Sequence, residues 1–192
     1  MNDWPSSILR FLKSFDQSAP LGSPVDFGAF YERTHLSVFR YVYGLTGGPQ
    51  EDVEDLTAEA FTRAWRARRS FQGEDQAALG WLMKIARRLV IDDYRRRKAR
   101  PAIEDDAISD ELSVDVPLPE EIALAGEEQQ YLLSQLKRLP DEPREILVLR
   151  YLLGWHVNQI AAYLEIPENS VSVIIRRTLE RLRQQWPAME NK

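Results

Sequence analysis

The chain has 192 residues, 44% of them hydrophobic, and a formal net charge of −5, which is enough length and apolar content for one large domain or two small ones. It has no cysteine and only two histidines, His35 and His156, which excludes disulfides, thiolate metal sites and cysteine nucleophiles and argues against a histidine-based metal centre. No window approaches the roughly 18 uninterrupted apolar residues of a membrane span, and the amino terminus lacks the basic start and apolar run of a signal peptide, so a soluble cytoplasmic protein is expected.

Residues 1–25 form an amino-terminal extension. In it Ile8, Leu9, Phe11, Leu12 and Phe15 have the spacing of a short amphipathic helix, with Pro20, Gly22 and Pro24 as a hinge. Asp26 is a fair N-cap for a helix whose apolar side is Phe27, Phe30, Tyr31, Val38, Phe39 and Val42, with Gly47-Gly48 as its stop. Pro49 opens a second helix with Glu51 and Asp52 in the first turn, where the macrodipole favours acids, and with Val53, Leu56, Ala60, Phe61, Ala64 and Trp65 at helical period. Trp65 fits this stripe and is expected in the core. Phe71 to Gln76 breaks the period and reads as a loop, with the surroundings of Phe71 to Gly80 counted to it.

The next helix joins an apolar stripe to dense positive charge. Leu82, Ile85, Ala86 and Leu89 recur at helical spacing, so Lys84, Arg87, Arg88, Arg95 and Arg96 must point elsewhere. From Trp81 to Arg100 there are eight Lys or Arg against two Asp. A run such as Arg95 to Lys98 often only offsets the dipole of a helix end. That reading leaves Lys84, Arg87 and Arg88 unexplained, because they lie two to three turns earlier.

Between Pro101 and Glu121 stand eight acids, three prolines and no Lys or Arg. With so little to bury, 101–121 reads as an acidic linker. It divides a first module, residues 26–100, from a second, residues 122–187.

In the second module Leu132, Leu133, Leu136 and Leu139 make an amphipathic helix ending at Pro140. Pro143 leads into Ile146, Leu147, Leu149, Leu152 and Leu153, closed by Gly154. The rest has the form of a helix-turn-helix: a short helix through Val157, Ile160, Ala161 and Leu164, a turn at Ile166-Pro167-Glu168-Asn169, and a second helix from Ser170 onward. Val171, Ile175, Thr178, Leu179 and Leu182 face inward, and Asn169, Ser172, Val173 and Arg176 outward. The expected class is all-α, two small helical domains joined by an acidic linker.

Taken together, these residues resemble an extracytoplasmic-function (ECF) sigma factor, the small two-domain type of bacterial initiation factor. The first module carries the resemblance in Glu54 to Trp65 and in Trp81 to Lys98. The second carries it in Leu139-Pro140, in Pro143 to Tyr151, in Gly154 and in Gln159-Ile160-Ala161. The resemblance implies a non-enzymatic specificity subunit without a cofactor, whose partners are RNA polymerase core and promoter DNA, with an anti-sigma factor as a further candidate partner.

It implies roles for residues too. On the second helix Asp52, Asp55, Glu59, Arg63 and Arg66 face polymerase, although a pair such as Glu59 with Arg63 is also what a solvated face would show. At the minus-ten element Arg95, Arg96, Arg97 and Lys98 hold phosphates, while Lys84, Arg87, Arg88 and the loop at Phe71 meet the opened strand, with Phe71 the candidate to stack on an unpaired base. Arg88 stands where the family usually has asparagine, which leaves base preference there open. At the minus-thirty-five element the recognition helix lacks the early lysines and arginines that similar proteins often carry, so Asn169, Ser170, Ser172 and Val173 are the candidates to read bases, and Arg176 and Arg177 to position the helix on phosphate or reach a guanine. The linker acids Asp105, Asp106 and Asp110 are candidates to occupy cationic channels of the core enzyme. A helix-turn-helix regulator acting without polymerase, or a protein-interaction adaptor, remains the alternative.

Overall fold

A computed structural model of the protein describes residue 21 and residues 24–71, 75–99 and 126–185. Among these residues there are seven α-helices and no strand, which is the all-helical class the sequence implies. The helix expected at Ile8 to Phe15 and the linker at 101–121 lie outside the described residues.

Helix α1 (Pro24–Thr46) begins at proline, whose missing N–H costs nothing in a first turn. Asp26 therefore sits inside that turn rather than at the N-cap expected for it, and there its charge still meets the dipole favourably. The helix ends as expected: Gly47 has φ +52° and its N–H donates to the Tyr43 carbonyl at 2.6 Å. A Cβ at Gly47 would also collide with the Lys137 side chain. The buried hydroxyl of Thr34 is satisfied by donating to the Phe30 carbonyl at 2.7 Å.

Helix α2 (Gln50–Ala67) buries Val53, Leu56, Thr57, Ala60, Phe61 and Ala64, a single stripe at three- and four-residue spacing. A 3-10 turn, Arg68–Ser70, follows it. Helix α3 (Asp75–Ala99) starts earlier than expected, so Asp75 to Gly80 are helical and not loop. Burial explains the extension, because Ala78 and Leu79 prolong the apolar stripe of Leu82, Met83, Ala86 and Leu89 by one turn.

Helix α4 (Gly126–Lys137) is joined through buried Leu139 to α5 (Asp141–Leu147), which runs on into a π turn at Val148–Leu152. Gly154, at φ +69°, closes that segment. Helices α6 (Val157–Leu164) and α7 (Glu168–Gln185) form the helix-turn-helix, with Glu165 left-handed at φ 60° between them. The α7 helix starts two residues before Ser170, so Glu168 and Asn169 belong to its first turn rather than to the connecting turn. Helices α5 and α6 pack on α7, where Val171, Thr178 and Leu182 are buried as expected and Ile175 and Leu179 are half-buried.

The chain forms two compact units. One holds α1 to Phe39 together with α2 and α3, and its core includes Phe27, Phe30, Phe61 and Leu82. The other holds Arg40–Gln50 together with α4 to α7. Within this second unit the Arg144 guanidinium donates to four backbone carbonyls: Leu45 at 2.7 Å, Leu136 at 3.0 Å, Lys137 at 2.8 Å and Leu139 at 2.7 Å. One side chain thus satisfies carbonyls that the ends of α1 and α4 leave open.

Candidate functional site

Two charged helix faces belong to the first unit. On α2 the apolar stripe fixes the rotation of the helix, and Asp55, Arg63 and Arg66 are exposed while Asp52 and Glu59 are half-buried. Arg63 Nε donates to Glu59 Oε1 at 2.7 Å. An exposed pair at this spacing contributes only a few tenths of a kcal/mol to the helix. It leaves both charges accessible to a charged partner.

On α3 burial of Leu82, Met83, Ala86 and Leu89 turns Lys84, Arg87 and Arg88 outward, and Arg95, Arg96, Arg97 and Lys98 are all exposed. These cations are not equivalent. Arg97 donates through Nε to Asp93 Oδ2 at 2.6 Å and through Nη2 reaches Asp52 Oδ2 at 3.0 Å. Partial burial pushes its pKa down, but the hydrogen bonds and charges of Asp93 and Asp52 outweigh that and leave it raised. Arg96 lies 3.5 Å from Asp93.

The aromatic residues divide more sharply than their sequence positions indicate. Phe71 is half-buried with its ring 5.0 Å from that of Trp81, so the residue expected to offer a stacking face already has an aromatic neighbour. Trp65 is half-buried rather than fully in the core: its ring meets Phe27 at 5.1 Å, and the Arg68 guanidinium lies 3.4 Å from its centroid. Tyr94 is 62% exposed, beside Arg95 on the cationic end of α3.

The second unit presents the first turns of α7. Asn169, Ser172, Arg176 and Arg177 are exposed, and Ser170 and Val173 are half-buried. Arg176 pairs with Glu180 at 3.4 Å, four residues on. At the start of α6 the His156 N–H donates to Gln159 Oε1 at 2.8 Å, so Gln159 serves as an N-terminal brace of the first helix of the motif.

Residues 30–100 match the family model of Sigma-70 region 2, and residues 129–182 match that of Sigma-70, region 4. Over 152 residues the chain is 33% identical to the ECF RNA polymerase sigma-E factor of Escherichia coli strain K12, which covers 76% of each protein. The chain belongs to the ECF RNA polymerase sigma factors. It is also 31% identical over 173 residues to the ECF sigma factor BldN of Streptomyces coelicolor, and that match takes in 89% of this chain and 64% of BldN. Among solved structures, the fold resembles that of the sigma factor RpoE in its complex with the anti-sigma factor NepR from Bartonella quintana, with a TM-score of 0.62 and 20% identity over 83% of this chain and 95% of that one.

Sequence reasoning missed two features of this sigma factor. One is the contact of Asp52 with Arg97, which joins residues assigned to different partners; spacing within a helix carries no signal for a pair between helices. The other is the exposure of Tyr94. Its position after Asp92-Asp93 and before Arg95, off the stripe of Leu82, Ala86 and Leu89, was a usable signal.

Proposed function

We propose that this sigma factor docks on RNA polymerase core through the outer side of α2 and holds the minus-ten element along α3. In this reading α7 of the helix-turn-helix lies on the minus-thirty-five element. The observation that carries it is the placement of two charged faces of different character on one unit. Asp55, Glu59, Arg63 and Arg66 mix both signs, as suits a polar contact with a charged partner helix. The end of α3 is cationic, as suits phosphate.

Arg95 and Lys98 supply sequence-independent attraction, with Lys84, Arg87 and Arg88 about two to three turns before Arg95 along the same strand path. Tyr94 offers its ring to an unpaired base at the cationic end of α3, and the Phe71–Trp81 pair stands towards the other end of that helix. At the upstream element Asn169, Ser170, Ser172 and Val173 meet base edges, the last through a thymine methyl, and Arg176 and Arg177 set the register on phosphates. Opening of the duplex follows from favouring single-stranded DNA over paired DNA, and no catalytic group or cofactor takes part.

Such a protein works in the cytoplasm, where polymerase and DNA are. Among the described residues no helix is long and apolar enough to cross a membrane. An anti-sigma factor is a further partner of the proposed assembly. Charge reversal tests the docking face: Asp55→Lys and Glu59→Lys are each expected to weaken binding to purified core, measured by fluorescence titration. Unchanged affinity in both would remove the assignment of α2.

A further inference from the structure

Arg97 lies in the last turns of α3, inside a run of cations, yet its guanidinium faces acids. Asp93 lies one turn earlier on α3, and Asp52 lies in the first turn of α2. Its neighbours differ, since among the described residues Arg95 and Lys98 make no ion pair. One cation of the DNA-facing run is therefore held by a carboxylate of the helix assigned to polymerase.

We propose that the Asp52–Arg97 pair couples the two faces. In the free protein Asp52 holds Arg97 Nη2 against α2, and a cation of the polymerase that engages Asp52 frees Nη2 for a DNA phosphate while Nε stays on Asp93. This rests on the assignment of α2 to polymerase. The energetics suit a coupler: both side chains are partly exposed, Arg97 at 53% and Asp52 at 38%, so the pair is weak enough for a partner to displace. Coupling of this kind is reciprocal, so DNA bound through Arg97 strengthens polymerase binding at Asp52 by the same factor. A pair that merely braces α2 on α3 makes the opposite forecast, because removing one partner would then loosen the unit without raising DNA affinity.

The test uses the full chain with Asp52→Asn, Arg97→Gln, the double variant and Glu51→Gln, which removes an exposed acid from the same turn. The probe is a fluorescein-labelled oligothymidine of about 20 nucleotides, followed by anisotropy over a range of KCl. Asp52→Asn is expected to raise affinity about two- to fivefold and to steepen the logarithmic salt slope by about 0.7, the increment for one added phosphate contact on a single strand. Glu51→Gln is expected to change little, and the gain is expected to vanish when Arg97→Gln is added. Equal gains from Asp52→Asn and Glu51→Gln, or a gain that survives Arg97→Gln, would overturn the coupling. Core affinity of the same variants separates this from the underlying reading. If Asp52→Asn weakens core binding without gaining DNA affinity, the docking face stands and the coupling falls. If it gains DNA affinity with core binding unchanged, polymerase does not act through Asp52 and the coupling also falls, while Asp55 and Glu59 are judged by their own variants.

Discussion

The hydroxyl of Tyr41 donates to Glu145 Oε1 at 2.6 Å and lies 3.1 Å from the hydroxyl of Tyr163. Three residues from α1, α5 and α6 thus share one buried polar cluster within the second unit, with Tyr41 fully buried and Glu145 4% exposed. A carboxyl group so far from water depends on its donors. Tyr41→Phe keeps the ring and removes the donor, and is expected to destabilise the protein by about 1–3 kcal/mol. A lowered urea midpoint with an unchanged slope is the outcome to look for.

The same cluster sets a pH dependence. Burial, then the neighbouring Tyr163 and Glu145, raises the Tyr41 phenol well above its usual value of 10. The native state keeps a proton that the unfolded chain releases near pH 10, so this contribution is fully present below that pH and is lost as pH rises above it. Tyr41→Phe is expected to make the alkaline decline in stability shallower. Some decline remains, because burial also raises the Tyr43 phenol.

Arg144 gathers four carbonyls with a planar fork that lysine cannot reproduce. Arg144→Lys keeps the charge and loses most of those bonds. It is expected to cost about 2–3 kcal/mol, read as a drop in the midpoint of thermal or urea unfolding. A loss no larger than that of an exposed arginine such as Arg183 would show that the carbonyls find other donors.

Most helices were legible from apolar period and punctuation. Gly47 stops α1, Gly154 closes the π turn, and the stripe of Val53, Leu56, Ala60 and Phe61 fixes the outer face of α2. Boundaries moved where local signals competed with burial: α3 takes in Asp75 to Gly80 because Ala78 and Leu79 extend its buried stripe, although Gly80 is a poor helix former. The outward placement of Lys84, Arg87 and Arg88 followed from the same period. What no period carries is pairing at a distance, and Tyr41 with Glu145, Arg144 with Leu45 and Asp52 with Arg97 are all of that kind.

The cations at the end of α3 are expected to differ in their effect on DNA binding. Arg95→Ala and Lys98→Ala should each weaken single-strand binding and lower the salt slope by about 0.7. Arg97→Ala should do less in the free protein, since its charge already faces Asp52 and Asp93. Tyr94→Ala should cost about 1–3 kcal/mol of single-strand affinity, the range for one stacked base, and should leave stability nearly unchanged because the ring is exposed. Phe71→Ala, in contrast, should lower stability through loss of its contact with Trp81. Salt titrations of anisotropy, with urea unfolding alongside, separate these effects.

The most direct test of sigma activity is run-off transcription with purified polymerase core on DNA carrying a start site mapped in the native host. Core with this protein is expected to yield transcripts of one defined length that core alone does not make, and Asp55→Lys should reduce them in parallel with core affinity. If the protein binds that DNA by itself but adds no initiation to core under mild salt, it is not acting as a sigma factor.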